Sequence, residues 1–234
     1  MLAIWKKEFK SYFVSPIGYI FVGVITFLSS FAFITGVVLV KSADISVVFS
    51  NINWIYLFLA ALLTMRMFAE EKNKRTDQLL LTAPVSITEI VLGKYLAAMS
   101  VLGVTVLVSL VYPIIMCIYA DPAISEIIGS YIGFVLLWGA FVSVGAFISS
   151  LTESQVIAAV FTFISLVIIY FMQSFEASIN NVVLQKIVGW FSLMSRYGEF
   201  QKGILNIESI IYYLSFTFVF LFLTVRVIDK RRYS

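Results

Sequence analysis

Six apolar stretches punctuate the chain, at residues 17–40, 52–65 (extended by Met67 and Phe68), 95–119, 127–151, 156–172 and 210–225. Crossing the hydrocarbon core of a bilayer takes about 20 helical residues at ~1.5 Å each, and the stretches fit that length, the second being the shortest. The first has no charge from Ile17 to Val40 and no Ala-x-Ala type cleavage site after it, so it reads as a retained helix and not as a signal peptide. The pattern predicts an all-α integral membrane protein with six transmembrane helices. Residues 1–234 form one transmembrane domain, and six crossings leave no room for a separate soluble one.

Four polar or amphipathic features interrupt this plan. Residues 1–14 place Leu2, Trp5, Phe9, Tyr12 and Phe13 on one helical face, with Lys6, Lys7, Lys10 and Ser11 mostly elsewhere, the pattern of an interfacial helix or else of a basic flank that only sets topology. Ser15-Pro16 then breaks it and suits the start of the first span. Between spans two and three lies the most polar stretch, Glu70-Glu71-Lys72-Asn73-Lys74-Arg75-Thr76-Asp77-Gln78, followed by Leu79, Leu80, Leu81 and, after two residues, Pro84. Here Thr76 suits the cap of a short helix that Pro84 ends, parallel to the membrane and fit to dock a partner; the alternative is a solvated charge run. Residues 173–209, between spans five and six, carry Val182, Val183, Leu184, Ile187, Val188, Trp190, Phe191 and Leu193. They predict a re-entrant outer hairpin broken near Gly189 or Gly198, or a surface amphipathic helix. The turn at 149–155 is a tight connection or a second contact for the same partner.

Charge fixes the expected orientation. With six spans, one side holds Lys6, Lys7, Lys10, Arg66, Lys72, Lys74, Arg75, Lys94, Arg226, Lys230, Arg231 and Arg232, and the other holds Lys41, Lys186, Arg196 and Lys202. Twelve positive residues against four place both termini in the cytoplasm.

Composition narrows the chemistry. Hydrophobic residues make up 61% of the 234 residues and charged residues 12%, which excludes an ordinary soluble domain. With no His and one Cys the chain has no catalytic triad, no His-ligated metal site and no internal disulfide, so no enzymatic activity, catalytic residue or metal is expected. A net charge of +3, without basic runs interleaved with aromatics, gives no nucleic-acid partner. No Asp, Glu, Lys or Arg lies inside the apolar stretches, which disfavours a proton-coupled carrier. The polar content there is hydroxyl-rich: Thr26, Ser29, Ser30, Thr35, Ser100, Thr105, Ser109, Ser143, Thr162 and Ser165 suit helix packing more often than a path. Gly133, Gly139 and Gly145 read as one close-packing face. Gly93-Lys94 lacks the other residues of a phosphate-binding loop, so any ATP hydrolysis belongs to a partner. A non-transporting scaffold and a gradient-driven carrier are the competing classes.

Glu70-Glu71 through Thr76, Leu79-Leu80-Leu81, Ala83-Pro84-Val85, Ile90 and Gly93-Lys94 resemble the loop after the second span in ATP-binding-cassette type-2, exporter-like permeases. Lys7-Glu8-Phe9-Lys10-Ser11-Tyr12-Phe13 with Ser15-Pro16-Ile17-Gly18-Tyr19 looks like the start of the gliding-motility-associated permeases of that family, and Ser149-Ser150-Leu151-Thr152 is also similar to the family. The resemblance covers nearly the whole chain. It implies that residues 1–14 are an elbow helix at the membrane interface, with Trp5, Lys6, Lys7, Phe9, Lys10 and Phe13 as its contact residues. It implies that residues 70–84 form a coupling loop docked on a cytoplasmic ATPase subunit through Glu70, Glu71, Thr76, Leu79, Leu80, Leu81 and Pro84. It further implies a pair of permease copies, ATP and magnesium bound only by the ATPase partner, and residence in a bacterial inner membrane. A hydrophobic or amphipathic cargo fits spans that offer hydroxyls and no charge.

Overall fold

A computed structural model describes residues 1–76, 85–178, 189 and 192–232. All regular structure among them is helical, which satisfies each backbone N–H and C=O within its own segment, as hydrocarbon demands of a span that is not part of a closed barrel. Helix α1 (Leu2–Val14) precedes α2 (Pro16–Phe33), which continues as a π-helical turn over Ile34–Val38. Then come α3 (Ser46–Thr64), the short α4 (Ala69–Asn73), α5 (Ile87–Ser109), α6 (Val111–Tyr119) and α7 (Ile124–Leu151). Helices α8 (Gln155–Ser178), α9 (Leu193–Gln201) and α10 (Ile207–Arg232) complete the described chain.

Six segments among the described residues are long and apolar enough to cross a membrane: Pro16–Val38, Ser46–Asn73, Ile87–Tyr119, Ile124–Leu151, Gln155–Phe175 and Ile207–Arg231. The second starts earlier than its apolar stretch, because its polar residues are satisfied locally. The Asp44 carboxylate accepts the Ser46 N–H at 2.8 Å, and the Ser50 hydroxyl donates back to the Ser46 carbonyl at 2.9 Å. The third starts at Ile87, where the Ser86 hydroxyl accepts the Glu89 N–H as an N-cap.

Burial separates the spans into two groups. The apolar windows of the second and fourth are 61% and 72% buried, against 17–33% for the other four, so α3 and α7 form the centre and the rest turn apolar side chains outward. Helix α7 is enclosed on several sides. Gly133, Gly139 and Gly145 do not make one face: six residues turn a helix by about 600°, so successive members point to different sides. A side chain at Gly133 would meet Phe200, at Gly139 the Tyr95 hydroxyl and at Gly145 Thr64, so each glycine admits a different neighbour.

Hydroxyls within the spans mostly return to their own helix. Thr64, Thr105, Ser143 and Thr224 donate to the carbonyls of Ala60, Leu102, Ala140 and Phe220. One hydroxyl repairs a break. Pro113 has no N–H for the carbonyl of Ser109, four residues earlier, and the third span is interrupted there. The Tyr131 hydroxyl donates to that carbonyl at 2.8 Å and ties α7 to the interruption.

Of residues 173–209, the stretch 179–188 and residues 190 and 191 lie outside the described residues. Helix α9 buries Leu193, Met194, Tyr197 and Phe200, with Phe200 seated over Gly129 and Gly133 of α7. Gly198 lies within α9 and does not break it. The chain turns instead at Gly203, whose φ of +73° suits a residue without a Cβ and whose backbone passes close to Ser125 and Glu126. The Tyr213 hydroxyl donates to the Leu193 carbonyl at 2.5 Å, and Ser209 donates to Glu199 at 2.9 Å, fastening α9 to α10.

Candidate functional site

The N-terminal helix packs on the bundle through a mixed face. Ile4, Trp5, Glu8, Phe9, Tyr12 and Phe13 turn inward, whereas Lys6, Lys7 and Lys10 are exposed. Leu2, expected on the apolar face, is 77% exposed, and Ile4 takes its place because Gly93 of α5 leaves room for it. Trp5 donates its indole N–H to the Ser100 hydroxyl at 2.9 Å, and Tyr12 donates to the Leu63 carbonyl at 3.3 Å. Burial pushes the Tyr12 phenol up from its ordinary range, the Glu8 carboxylate adds to this, and the hydroxyl stays protonated as a donor. Ser15 is extended and accepts the Ile17 N–H, so α1 and α2 meet at an angle set by Ser15-Pro16.

At this end the charges converge. The Lys94 ammonium is 2% exposed and lies 2.9 Å from Glu71 and 3.3 Å from Glu8, with the Phe68 ring 5.4 Å away. An ammonium taken out of water is tolerable only with such partners. Glu70 bridges Arg66 and Lys74 at 2.7 Å each, and Arg66 also donates to the Ser15 hydroxyl at 2.8 Å. Glu70 and Glu71 are therefore engaged within the chain. The terminal ammonium of Met1 lies 3.5 Å from Glu89.

The segment between α3 and α4 is held by the last turn of α7. A helix start leaves backbone N–H groups unpaired. The fully buried Ser149 hydroxyl accepts those of Phe68 at 3.1 Å and Ala69 at 3.2 Å, and donates to the Met65 carbonyl at 3.2 Å. Lys72 donates to the Ser150 carbonyl. At the far end of α4, Arg75 adopts a φ of +55°, and both the N–H and the hydroxyl of Thr76 turn back to the Glu71 carbonyl. Thr76 thus closes the preceding helix. Any helix that it starts, with Leu79, Leu80, Leu81 and Pro84, lies outside the described residues.

The sequence model described as ABC-2 family transporter protein matches residues 2–231. The chain belongs to the ABC-2 transporter family. The match is to the family as a whole and carries no assignment to its gliding-motility branch. No curated protein matches the sequence. Six apolar helices and this membership make the protein a multi-pass ABC transporter permease, and the family works with an ABC ATPase.

In this ABC-2 permease the predicted docking residues Glu70, Glu71 and Thr76 sit together with Arg66 and Lys94 at one end of the bundle, beside α1 and the turn at 149–154. Along α1, Trp5 of the predicted elbow stacks on Phe9 at a centroid distance of 5.9 Å and Phe9 meets Phe13 tilted at 5.1 Å. Sequence reasoning missed Glu8, Arg66, Lys94 and Ser149 as partners. Part of the signal was there: an ionisable residue within a turn of an apolar stretch, as Lys94 is of Tyr95, needs an opposite charge, but the sequence does not say which acid supplies it. Among the described residues no group of three or more His, Cys, Asp or Glu comes together to hold a metal ion.

Proposed function

We propose that this ABC-2 permease is the membrane-spanning subunit of an exporter for a hydrophobic or amphipathic solute, driven by ATP and magnesium bound in a separate ATPase subunit that docks on residues 70–84. The observation that carries the reading is the mounting of residues 66–76. A segment that receives force from a partner has to pass it into the spans. Here Glu71 holds Lys94 near the start of the third span, Lys94 holds Glu8 of α1, and Lys72, Phe68 and Ala69 are bonded to the end of the fourth. Lys74, Arg75 and Thr76 are exposed just where the chain leads on to Leu79, Leu80, Leu81 and Pro84.

The excess of positive residues supports a cytoplasmic position for this end, and thus for both termini, in a bacterial inner membrane. Helix α1 then serves as the elbow, its aromatics against the bundle and Lys6, Lys7 and Lys10 toward the surface. Helix α9 caps the opposite side as part of the outer segment. Two copies pair so that a path runs between them, because a bundle filled by α3 and α7 leaves no room for a solute at its centre.

The test separates docking from mounting. Leu80→Asp is expected to abolish co-purification of the ATPase without lowering the permease's melting temperature, whereas Glu71→Arg sets a cation against Lys94 and lowers both. Full ATPase association in Leu80→Asp contradicts the docking assignment, and full association in a Lys74→Glu/Arg75→Glu double variant as well removes the exposed end of α4 from it.

A further inference from the structure

The third span is held firmly along its first part and loosely along its second. Helix α5 buries at least one residue in every turn from Ile87 to Thr105, whereas α6 buries only Tyr112 and Met116. Val111, Ile114, Ile118 and Tyr119 of α6 are exposed. Neither end of α6 continues into regular helix. Before it, the Leu110 N–H reaches the Leu107 carbonyl only at 3.4 Å, and Pro113 has no N–H to give. After it, residues 120–123 are not helical. A short helix with few buried side chains and a joint at each end belongs to the part of a fold that opens first.

One side chain holds α6 in place. Tyr112 stacks on Phe33 of α2 at a centroid distance of 4.9 Å, and its hydroxyl lies 3.0 Å from that of Ser30 and 3.4 Å from the Thr26 carbonyl. Thr26, Ser30 and Phe33 are spaced i, i+4 and i+7, so they form one face of α2, directly before its π-helical turn. That face is fixed independently of α6. Val37 is buried and Gly36 admits Val47, which keeps this part of the first span on α3, and the bond from Tyr131 to Ser109 keeps the end of α5 on α7. Behind Tyr112 lies a small cavity with room for about one water, lined by Ile25 and Ser29 of α2, Val48 and Tyr56 of α3, and Thr105 and Ser109 of α5. Four of these six carry hydroxyls, and Tyr112 supplies the wall on the side of α6.

We propose that α6 is a hinged flap: it swings on the interruption at Leu110–Pro113, Tyr112 is the latch that holds it against the first span, and its release opens the hydroxyl-lined cavity sideways toward lipid. The device belongs to the fold of this chain and holds whether or not the exporter reading does.

The chain's single cysteine, Cys117, is exposed and lies on α6, so it reports the flap's position without any engineered site. The full-length protein is labelled there with a trifluoroethylthio group, placed in nanodiscs of phosphatidylethanolamine and phosphatidylglycerol, and followed by fluorine NMR. Two resonances in slow exchange are expected, the released one the smaller. Tyr112→Phe keeps the ring on Phe33 and removes the hydroxyl contacts, and it is expected to raise the ratio of released to latched roughly fivefold, the effect of about one hydrogen bond. Pro113→Ala restores the missing N–H, makes α5 and α6 continuous and is expected to leave a single resonance. Ser143→Ala is the control for general loosening: it removes a buried hydroxyl of α7 that bonds within its own helix, and should leave the ratio unchanged. A single sharp resonance in both wild type and Tyr112→Phe overturns the proposal. So does a ratio that Tyr112→Phe leaves unchanged, one that Ser143→Ala shifts equally, or exchange that survives Pro113→Ala.

Discussion

The two ends of the bundle are held by different forces. At the end with the N-terminus, Lys94, Arg66 and Lys74 share the carboxylates of Glu8, Glu70 and Glu71, and the loop is fixed by charge and by the Ser149 hydroxyl. At the other end Phe200 fills the space left by Gly129 and Gly133, and tyrosine hydroxyls bind backbone carbonyls; the pair of Arg196 with Glu208 sits at the surface. Ion pairs tolerate small displacements, because the attraction falls off slowly with distance. Close packing does not, since a shift of a fraction of an ångström loses the contact. On the proposed reading the charged end is the one that moves with the ATPase, and the packed end of α7 and α9 the one that stays.

Four substitutions probe this contrast. The largest effect belongs to Phe200→Ala, which empties a fully buried site and should cost about 3–5 kcal/mol of stability, with faster hydrogen exchange in α9 and none of it relieved by charge changes at the other end. Lys94→Met should cost about 3 kcal/mol by leaving Glu71 without its cation and Glu8 with only the exposed Lys7, and adding Glu8→Gln and Glu71→Gln should recover much of it; no recovery would mean that Lys94 acts through packing. Ser149→Ala should cost about 1–3 kcal/mol and raise exchange at the amides of Phe68 and Ala69, since it leaves them without an acceptor. The smallest effect, about 1 kcal/mol, is expected of Tyr131→Phe, and it should shrink further in Pro113→Ala, where residue 113 regains the N–H that satisfies the Ser109 carbonyl.

The spans were legible because an uninterrupted apolar stretch of about 20 residues fits a membrane helix and is too long for a barrel strand. Their ends were not: Ser46 and Lys94 become helical, and Ser86 caps the third span, through partners two to three residues away or in another helix, which a hydropathy pattern does not contain. The three glycines of α7 looked like a face because each is small and evenly spaced, but a spacing of six rotates them around the helix. The acids of the loop were visible as a motif. That Glu71 faces inward depends on Lys94 and Glu8, two segments distant in sequence, and only the fold brings them together.

The most direct test of the central claim is the composition of the intact particle. A C-terminally tagged protein, purified gently from its native membrane, is weighed by native mass spectrometry, first as wild type and then as Leu80→Asp. The account predicts two permease copies with two copies of a soluble ATPase in the wild type, and permease without ATPase in the variant. A wild-type chain that travels alone or with a protein that is not an ATPase, or an ATPase that stays bound in Leu80→Asp, contradicts it.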